Sequence, residues 1–282
     1  MKKSRGFWFG IAALAVLVGC ATAPITGRRQ LSLVSASQEM QLGLSSFEQL
    51  KKQTPVSRDP AINALVQRVG QKIAAAAGND LPNAQWEFVV FESKEANAFC
   101  LPGGKVGIFT GILPITQDEA GLATVMGHEV AHATARHGAE RMSQALAAET
   151  GGQLLGVGLS GADPRLAALA PVVYGLGTQV GVLLPYSRKF ESEADRIGLT
   201  YMARAGYNPE EAINFWQRFS QYTSAKASST PKFLRTHPVD ADRIRGIQQW
   251  LPEAKAAYRP AGNVGSAPGS ATGSDVIGRQ RR

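Results

Sequence analysis

Two histidines four residues apart, with a glutamate directly after the first, stand at His128, Glu129 and His132. A helix turns about 100° per residue, so residues four apart project about 40° from each other on one face. Both imidazoles can therefore bind one metal ion at the distance of about 2.0–2.1 Å that zinc prefers. Glu129 lies one step around the helix, where it faces a water on the ion rather than the ion itself. The pattern predicts a zinc site with Glu129 as its general base.

A catalytic zinc ion takes three protein ligands and keeps one position open. His137 lies five residues past His132, about 140° around a helix, so we reject it as a ligand and expect a packing or capping role. Glu191 and Asp195 lie four residues apart on a second predicted helix. This spacing resembles the ExxxD arrangement of gluzincins. The resemblance implies that Glu191 binds zinc and that Asp195 holds the N–H of a ligand imidazole.

Longer segments around these residues resemble one family. They read NAFCLPGG at 97–104, HEVAHATARHG at 128–138 and YSRKFESEADRIG at 186–198. All three are similar to metallopeptidase family forty-eight, and PITGRR at 24–29 resembles the segment before the domain in its OMA-like branch. The similarity covers about residues 24–250. It implies a zincin-like gluzincin domain, mainly α with a small β-sheet (α+β), that binds one Zn²⁺ per subunit and acts on polypeptides.

Two further site predictions have open alternatives. His237 could donate to an oxyanion, occupy the open zinc position in a resting state, or start a helix without any chemistry. The resemblance also implies an edge strand above the active-site helix that pairs with an extended substrate backbone. The substrate-binding residues are then Asn97, Ala98 and Phe99 within 97–101, or the alternative strand over residues 105–111.

The elements that must position these residues follow from helical spacing, capping and alternation. We predict helices over 37–52, from Asp59-Pro60, after Thr116 to about Arg136, and over 190–205, 209–222 and 239–250. Thr116-Gln117-Asp118-Glu119 matches a capping box, which places both histidines of the motif well inside their helix. Residues 86–92 predict a strand, and 97–101 with 105–110 predict a hairpin around PGG at 102–104. Prolines interrupt residues 150–186, which favours a buried insert or a lid over a transmembrane helix.

The beginning of the chain has the pattern of a targeting segment. The basic residues of KKSR at 2–5 precede an apolar stretch over 7–18, which is too short to span a bilayer as a mature helix. LVGC at 17–20 resembles a bacterial lipobox. The resemblance implies that Cys20 is lipidated and tethers the mature protein to a membrane from the periplasm. Alanine rather than aspartate follows Cys20, which favours the outer membrane by analogy.

The domain prediction follows from these segments. We predict a lipoprotein signal peptide at 1–19, a linker from the lipid anchor at 20–36, a metallopeptidase domain at 37–258 and a disordered tail at 259–282. The formal net charge is +8, and it falls to +5 once the basic residues of 1–19 are removed. Arg279, Arg281 and Arg282 supply three of these charges, so the remaining body is nearly balanced and we predict no nucleic-acid binding. With Cys20 acylated, Cys100 is expected to be a buried small hydrophobe.

These patterns together predict a zinc metalloendopeptidase of the bacterial cell envelope that hydrolyses misfolded or unassembled proteins. The alternative is an envelope assembly factor or chaperone that keeps zinc for structure alone. The intact Glu129 argues against that alternative, because a structural site has no need of a general base. The sequence makes no prediction of the oligomeric state.

Overall fold

A computed structural model of the chain describes residues 20–150, 188–225, 233, 236–237 and 241–260. The predicted signal peptide, nearly all of the insert at 150–186 and most of the tail at 259–282 lie outside the described residues. The strands are β1 (Cys20–Thr22), β2 (Arg29–Leu31), β3 (Glu87–Phe91), β4 (Ala98–Leu101) and β5 (Lys105–Phe109). The helices are α1 (Ala36–Gln53), α2 (Pro60–Ala77), α3 (Leu113–Thr116), α4 (Glu119–Thr134), α5 (His137–Thr150), α6 (Arg188–Arg204), α7 (Glu211–Ala225) and α8 (Ala241–Ala257).

The fold is mainly α with small sheets, which confirms the predicted class. Strands β3, β5 and β4 form a sheet in that order, with β3 parallel and β4 antiparallel to β5. Within the described sheet β5 is therefore central and β4 lies at an edge. One face of the sheet joins the core formed with α2, α4, α6 and α7, and the other face joins a smaller aromatic core. No helix in the described ranges is both long and apolar enough to cross a bilayer.

Side-chain caps fix where the helices begin. Asp59 accepts hydrogen bonds from the amides of Ala61 and Ile62 at 2.8 and 3.1 Å, and Pro60 occupies the first turn of α2, as predicted. The predicted cap of α4 is wrong by two residues. Asp118, not Thr116, caps α4 by accepting from Gly121 N at 2.7 Å. Thr116 instead ends the short helix α3.

The active-site helix α4 ends at Thr134, two residues after the second motif histidine. Arg136 adopts a left-handed conformation with φ 53°, and α5 begins at the next residue, His137. The predicted end of the helix near Arg136 is therefore confirmed. Because the break redirects the chain, His137 does not continue the helical path that our spacing argument assumed.

Helices α4 and α6 cross at two glycines. A Cβ at Gly198 would lie 2.9 Å from the backbone nitrogen of His128 and 3.0 Å from Gly127 C. A Cβ at Gly127 would lie 2.9 Å from Gly198 O. Carbon atoms normally stay about 3.5–4.0 Å from such neighbours, so only glycine permits this approach. The close crossing brings the Glu191 helix beside the motif histidines.

Residues 20–36 do not form the predicted linker. Strands β1 and β2 pair as an antiparallel hairpin, with Cys20 opposite Leu31 and Thr22 opposite Arg29. The hairpin is bonded to the domain through Arg28, which pairs with Glu140 of α5 and Glu193 of α6. We missed it because a three-residue strand carries too little alternation to be recognised from sequence.

Candidate active site

Four side chains from α4, α6 and the segment before α8 converge in the interior. His128 Nε2 lies 3.1 Å from His132 Nε2 and 3.2 Å from His237 Nδ1. The carboxylate oxygens of Glu191 lie 3.4 Å from His128 Nε2, 3.3 Å from His132 Nε2 and 3.0 Å from His237 Nδ1. All four side chains are buried. Among the described residues this is the group whose ligand atoms are close enough to hold one metal ion.

A buried carboxylate fixes the orientation of His128. Asp195 Oδ1 lies 2.9 Å from His128 Nδ1, in the arrangement predicted for Asp195. Arg243 donates to both oxygens of Asp195, at 2.7 and 2.9 Å, and its charge keeps the pKa of Asp195 low although burial alone would raise that pKa. Since an ionised carboxylate only accepts, the proton of His128 is on Nδ1, and Nε2 presents its lone pair to the cluster.

His132 is held from the other side by His137. Their Nδ1 atoms are 2.9 Å apart, and His137 Nε2 lies 3.0 Å from Glu193 Oε2. Burial lowers the pKa of His137. Burial alone would raise the pKa of Glu193, but hydrogen bonds from His137, Thr26 and Arg28 lower it to about 2. An ionised Glu193 makes His137 donate from Nε2, so His137 Nδ1 accepts the proton of His132 Nδ1. His132 Nε2 then also presents a lone pair.

This hydrogen-bond arrangement suits a cation. Two lone pairs that face each other at 3.1 Å repel unless a positive charge lies between them. A proton also supplies such a charge: burial and the Arg243 charge lower the pKa of His128, but the Asp195 and Glu191 carboxylates raise it to about 9, so a metal ion must displace a proton from Nε2 to bind there. Burial would raise the pKa of Glu191, yet the neighbouring His237 and Arg243 hold it well below its usual value.

The spacing of the ligand atoms fits zinc. Four atoms placed tetrahedrally at about 2.0–2.1 Å from an ion lie about 3.3 Å from one another. The two Nε2 atoms lie 3.1 Å apart, and each lies close to one oxygen of Glu191: His132 is 3.3 Å from Oε1 and His128 is 3.4 Å from Oε2. His237 Nδ1 lies 3.2 Å from His128 Nε2 and 3.0 Å from Glu191 Oε1, close enough to be a fourth ligand. Of the three predicted roles for His237, this placement favours occupation of the open position at rest.

Glu129 is buried beside the cluster without belonging to it. Its Oε1 lies 3.5 Å from His237 Nε2 and accepts no hydrogen bond from any described residue. Burial raises the pKa of Glu129. A raised pKa and an oxygen without a hydrogen-bond donor among the described residues make this carboxylate a stronger proton acceptor, which suits a general base.

Strand β4 lies next to this site. It packs against α4. Burial raises the pKa of the Cys100 thiol, and the nearby charge of Glu129 raises it further. The side chains predicted to bind substrate are nevertheless buried. The ring of Phe99 packs against Phe47 and Phe91 at 6.2 and 6.1 Å, and Asn97 and Ala98 are at most 5% exposed. These three side chains are therefore packed inside the domain and not exposed to a substrate in this structure.

The main chain of β4 has one side that faces away from β5 in the described sheet. In an antiparallel pair, alternate residues bond to the partner strand. The carbonyl of Asn97 accepts from Phe109 N at 3.0 Å, so Asn97 and Phe99 face β5. Ala98 and Cys100 therefore direct their N–H and C=O groups to the outer edge. Strand β5, the alternative over 105–111, is central in the described sheet and has no such edge.

Comparison with known proteins agrees with this geometry. The family model described as Peptidase family M48 matches residues 60–251, which contain the four clustered side chains and Glu129. The chain belongs to Peptidase family M48. The M48 peptidases are zinc enzymes, so the predicted fold, metallopeptidase class and zinc cofactor are confirmed.

Several M48 proteins align along most of the chain. The mitochondrial metalloendopeptidase OMA1 of Schizosaccharomyces pombe is 35% identical over 242 residues, which cover 82% of this chain and 66% of that protein. OMA1 of Saccharomyces cerevisiae is 34% identical, covering 91% of this chain and 76% of its own length. The beta-barrel assembly-enhancing protease of Escherichia coli K12 is 30% identical, covering 83% of this chain and 48% of its own length. The chain therefore spans about half of this bacterial relative.

Sequence reasoning missed three side chains of the M48 site. Arg243 binds Asp195 and lies 2.9 Å from Glu191 Oε2, which ties together the two carboxylates of α6. Its signal was an arginine six residues after His237. His137 and Glu193 support His132, although helical spacing placed His137 on the wrong face. The end of the helix near Arg136 was predicted, but the direction that the chain takes after it was not.

Proposed function

We propose that this chain is a zinc-dependent endopeptidase of the bacterial cell envelope that degrades misfolded or unassembled proteins. The observation that carries the proposal is the pair of imidazole lone pairs aimed at one point, with the Glu191 carboxylate at zinc spacing and Glu129 beside them. A bound zinc ion supplies a Lewis acid that acidifies a water molecule and polarises the scissile carbonyl. His128, His132 and Glu191 are the proposed ligands.

Each residue of the site then has its own role in hydrolysis. Glu129 Oε1 accepts the proton of the attacking water and later delivers it to the amine that leaves. Asp195 and His137 keep the two ligand imidazoles in the tautomer that offers Nε2. His237 occupies the fourth corner at rest and must move away before a substrate carbonyl can enter.

The outer edge of β4, which faces away from β5, is the proposed binding site for the substrate main chain. Ala98 and Cys100 can each form main-chain hydrogen bonds with an extended peptide. This mode of binding recognises a backbone rather than particular side chains. It therefore suits unfolded polypeptides, in which extended segments are accessible.

The envelope location rests on the N-terminal segment. We propose that Cys20 is lipidated and anchors the protein to the outer membrane from the periplasm. The name of the E. coli relative refers to β-barrel assembly, which supports envelope proteins as substrates, whereas the yeast relatives are named as mitochondrial.

The decisive experiment measures zinc content and casein cleavage by wild type, Glu129→Gln and Glu119→Gln. Glu119 is the control because it lies on the same helix but pairs with Arg68 and Tyr207. We expect Glu129→Gln to retain zinc and lose about 10²–10⁴-fold in activity, while Glu119→Gln stays active. Full activity in Glu129→Gln would overturn the mechanism. Zinc binding by a wild type that cleaves nothing would instead favour the assembly-factor alternative.

A further inference from the structure

The N-terminal hairpin, β1 and β2 with their connection, contacts a buried carboxylate of α6. Arg28 Nε donates to Glu193 Oε2 at 2.5 Å, and the hydroxyl of Thr26 donates to Glu193 Oε1. The other nitrogens of Arg28 donate to Glu140 at 2.8 and 3.1 Å and to Gln30 at 3.0 Å. The guanidinium is only 14% exposed, so this is a fixed and largely buried contact.

From Glu193 the hydrogen bonds continue to the metal site. Glu193 Oε2 also accepts from His137 Nε2 at 3.0 Å, and His137 Nδ1 lies 2.9 Å from His132 Nδ1. The ring of His137 stacks on Phe190 at 4.6 Å with an interplanar angle of 10°, which fixes the plane of the ring. The chain Arg28, Glu193, His137, His132 therefore runs without a gap from the hairpin to a zinc ligand.

The other motif histidine has a support of the same kind. Arg243 donates to Asp195, and Asp195 lies 2.9 Å from His128 Nδ1. Each imidazole is thus oriented through an α6 carboxylate that an arginine holds in place. The difference is that the arginine behind His132 comes from the hairpin, more than 160 residues away from Glu193 in sequence.

We propose that Arg28 and Glu193 are positioning residues for His132, so that the N-terminal hairpin is a part of the metal site. The inference rests on the proposed function in that the cluster holds a zinc ion. Without Arg28, Glu193 can rotate away from His137, and His137 no longer selects the His132 tautomer that presents Nε2. Partners of this kind contribute to metal affinity as well as to structure.

The test measures zinc affinity by chelator competition on the full-length holoenzyme, for Arg28→Gln, His137→Phe and the double variant. Phenylalanine keeps the stacking on Phe190 but removes both nitrogens. We expect a loss of about 10–100-fold for His137→Phe and about tenfold for Arg28→Gln. The double variant should bind within about twofold of His137→Phe, because the effect of Arg28 passes through that ring. In the cobalt-substituted enzyme, Arg28→Gln should shift the visible absorption bands.

Lys51→Gln is the matched control. Lys51 of α1 donates to Glu87 of β3 at 2.9 Å, so it also ties an N-terminal element to the domain, but its side-chain contacts do not lead to His137 or His132. We expect it to leave zinc affinity and the cobalt spectrum unchanged.

If the wild type binds zinc and cleaves casein, two results would overturn this inference and leave the proposed function standing. The first is an Arg28→Gln variant that melts earlier but keeps wild-type zinc affinity and cobalt bands, since the contact would then be structural only. The second is a double variant whose loss is the product of the single losses. A wild type that neither binds zinc nor cleaves casein would overturn the proposed function itself.

Discussion

A single methyl group at Gly198 tests whether the crossing of α4 and α6 builds the metal site. In Gly198→Ala the new Cβ would lie 2.9 Å from His128 N and 3.0 Å from His128 Cα. These are backbone atoms of a helix, so no side-chain rotation can relieve the overlap. The two helices must move apart instead.

The size of the effect follows from the distances. Restoring an ordinary contact of about 3.5 Å requires a separation of about 0.6 Å. The same shift would move the Glu191 carboxylate from 3.4 Å to about 4.0 Å from His128 Nε2, beyond the spacing of about 3.3 Å that zinc needs. Inserting a methyl group into a packed core costs about 1–3 kcal/mol, which lowers the melting temperature by about 2–12 °C. We expect zinc affinity to fall about 10–100-fold.

Thermal unfolding and chelator competition measure both effects, with Gly246→Ala as the matched control. Gly246 also lies inside a helix, α8, but a Cβ there would meet nothing within 4 Å. Alanine in an open helical position stabilises by about 0.5–1 kcal/mol relative to glycine. The control should therefore melt slightly later than wild type and bind zinc equally well, so the two substitutions have opposite signs.

Unchanged melting and unchanged zinc affinity in Gly198→Ala would refute this reasoning. The crossing would then be able to relax without moving Glu191, and the glycine pair would not be what sets the ligand distances.

The remaining predictions concern the ligand set and the fourth corner. Glu191→Ala should largely abolish zinc binding, whereas Asp195→Ala should weaken it about 10–100-fold, as measured by metal content and chelator competition; wild-type affinity in both variants would place the third ligand elsewhere. His237→Ala should retain zinc and raise basal casein cleavage and self-cleavage, since its Nδ1 no longer occupies the substrate position. A fall of about 10²-fold with zinc retained would assign His237 to the oxyanion instead, and no change would leave it a structural role.

The sequence by itself determined the features that depend on local geometry. Four residues make a little more than one helical turn, so His128 and His132 share a face of α4 whatever surrounds them. The same rule places Glu191 and Asp195 together on α6. Helix capping located α2, and turn chemistry located the β4–β5 hairpin, because both depend on a few neighbouring residues.

Strand β4 shows where local patterns are insufficient. Both of its faces are buried, so alternation could not say that Phe99 packs into a core rather than against a substrate. Which main-chain groups remain free depends on the strand order β3-β5-β4 and on the pairing register, and both are properties of the assembled sheet.

Only the tertiary structure decided how the two motifs meet and what supports them. Gly127 and Gly198 matter because two helices distant in sequence pass within contact of each other's backbone. His137 reaches His132 because Arg136 turns the chain through a left-handed conformation. Arg28 and Arg243 reach their carboxylates from the two ends of the domain, across sequence separations of 165 and 48 residues. Such contacts arise from packing, because residues far apart in sequence carry no spacing signal that would pair them.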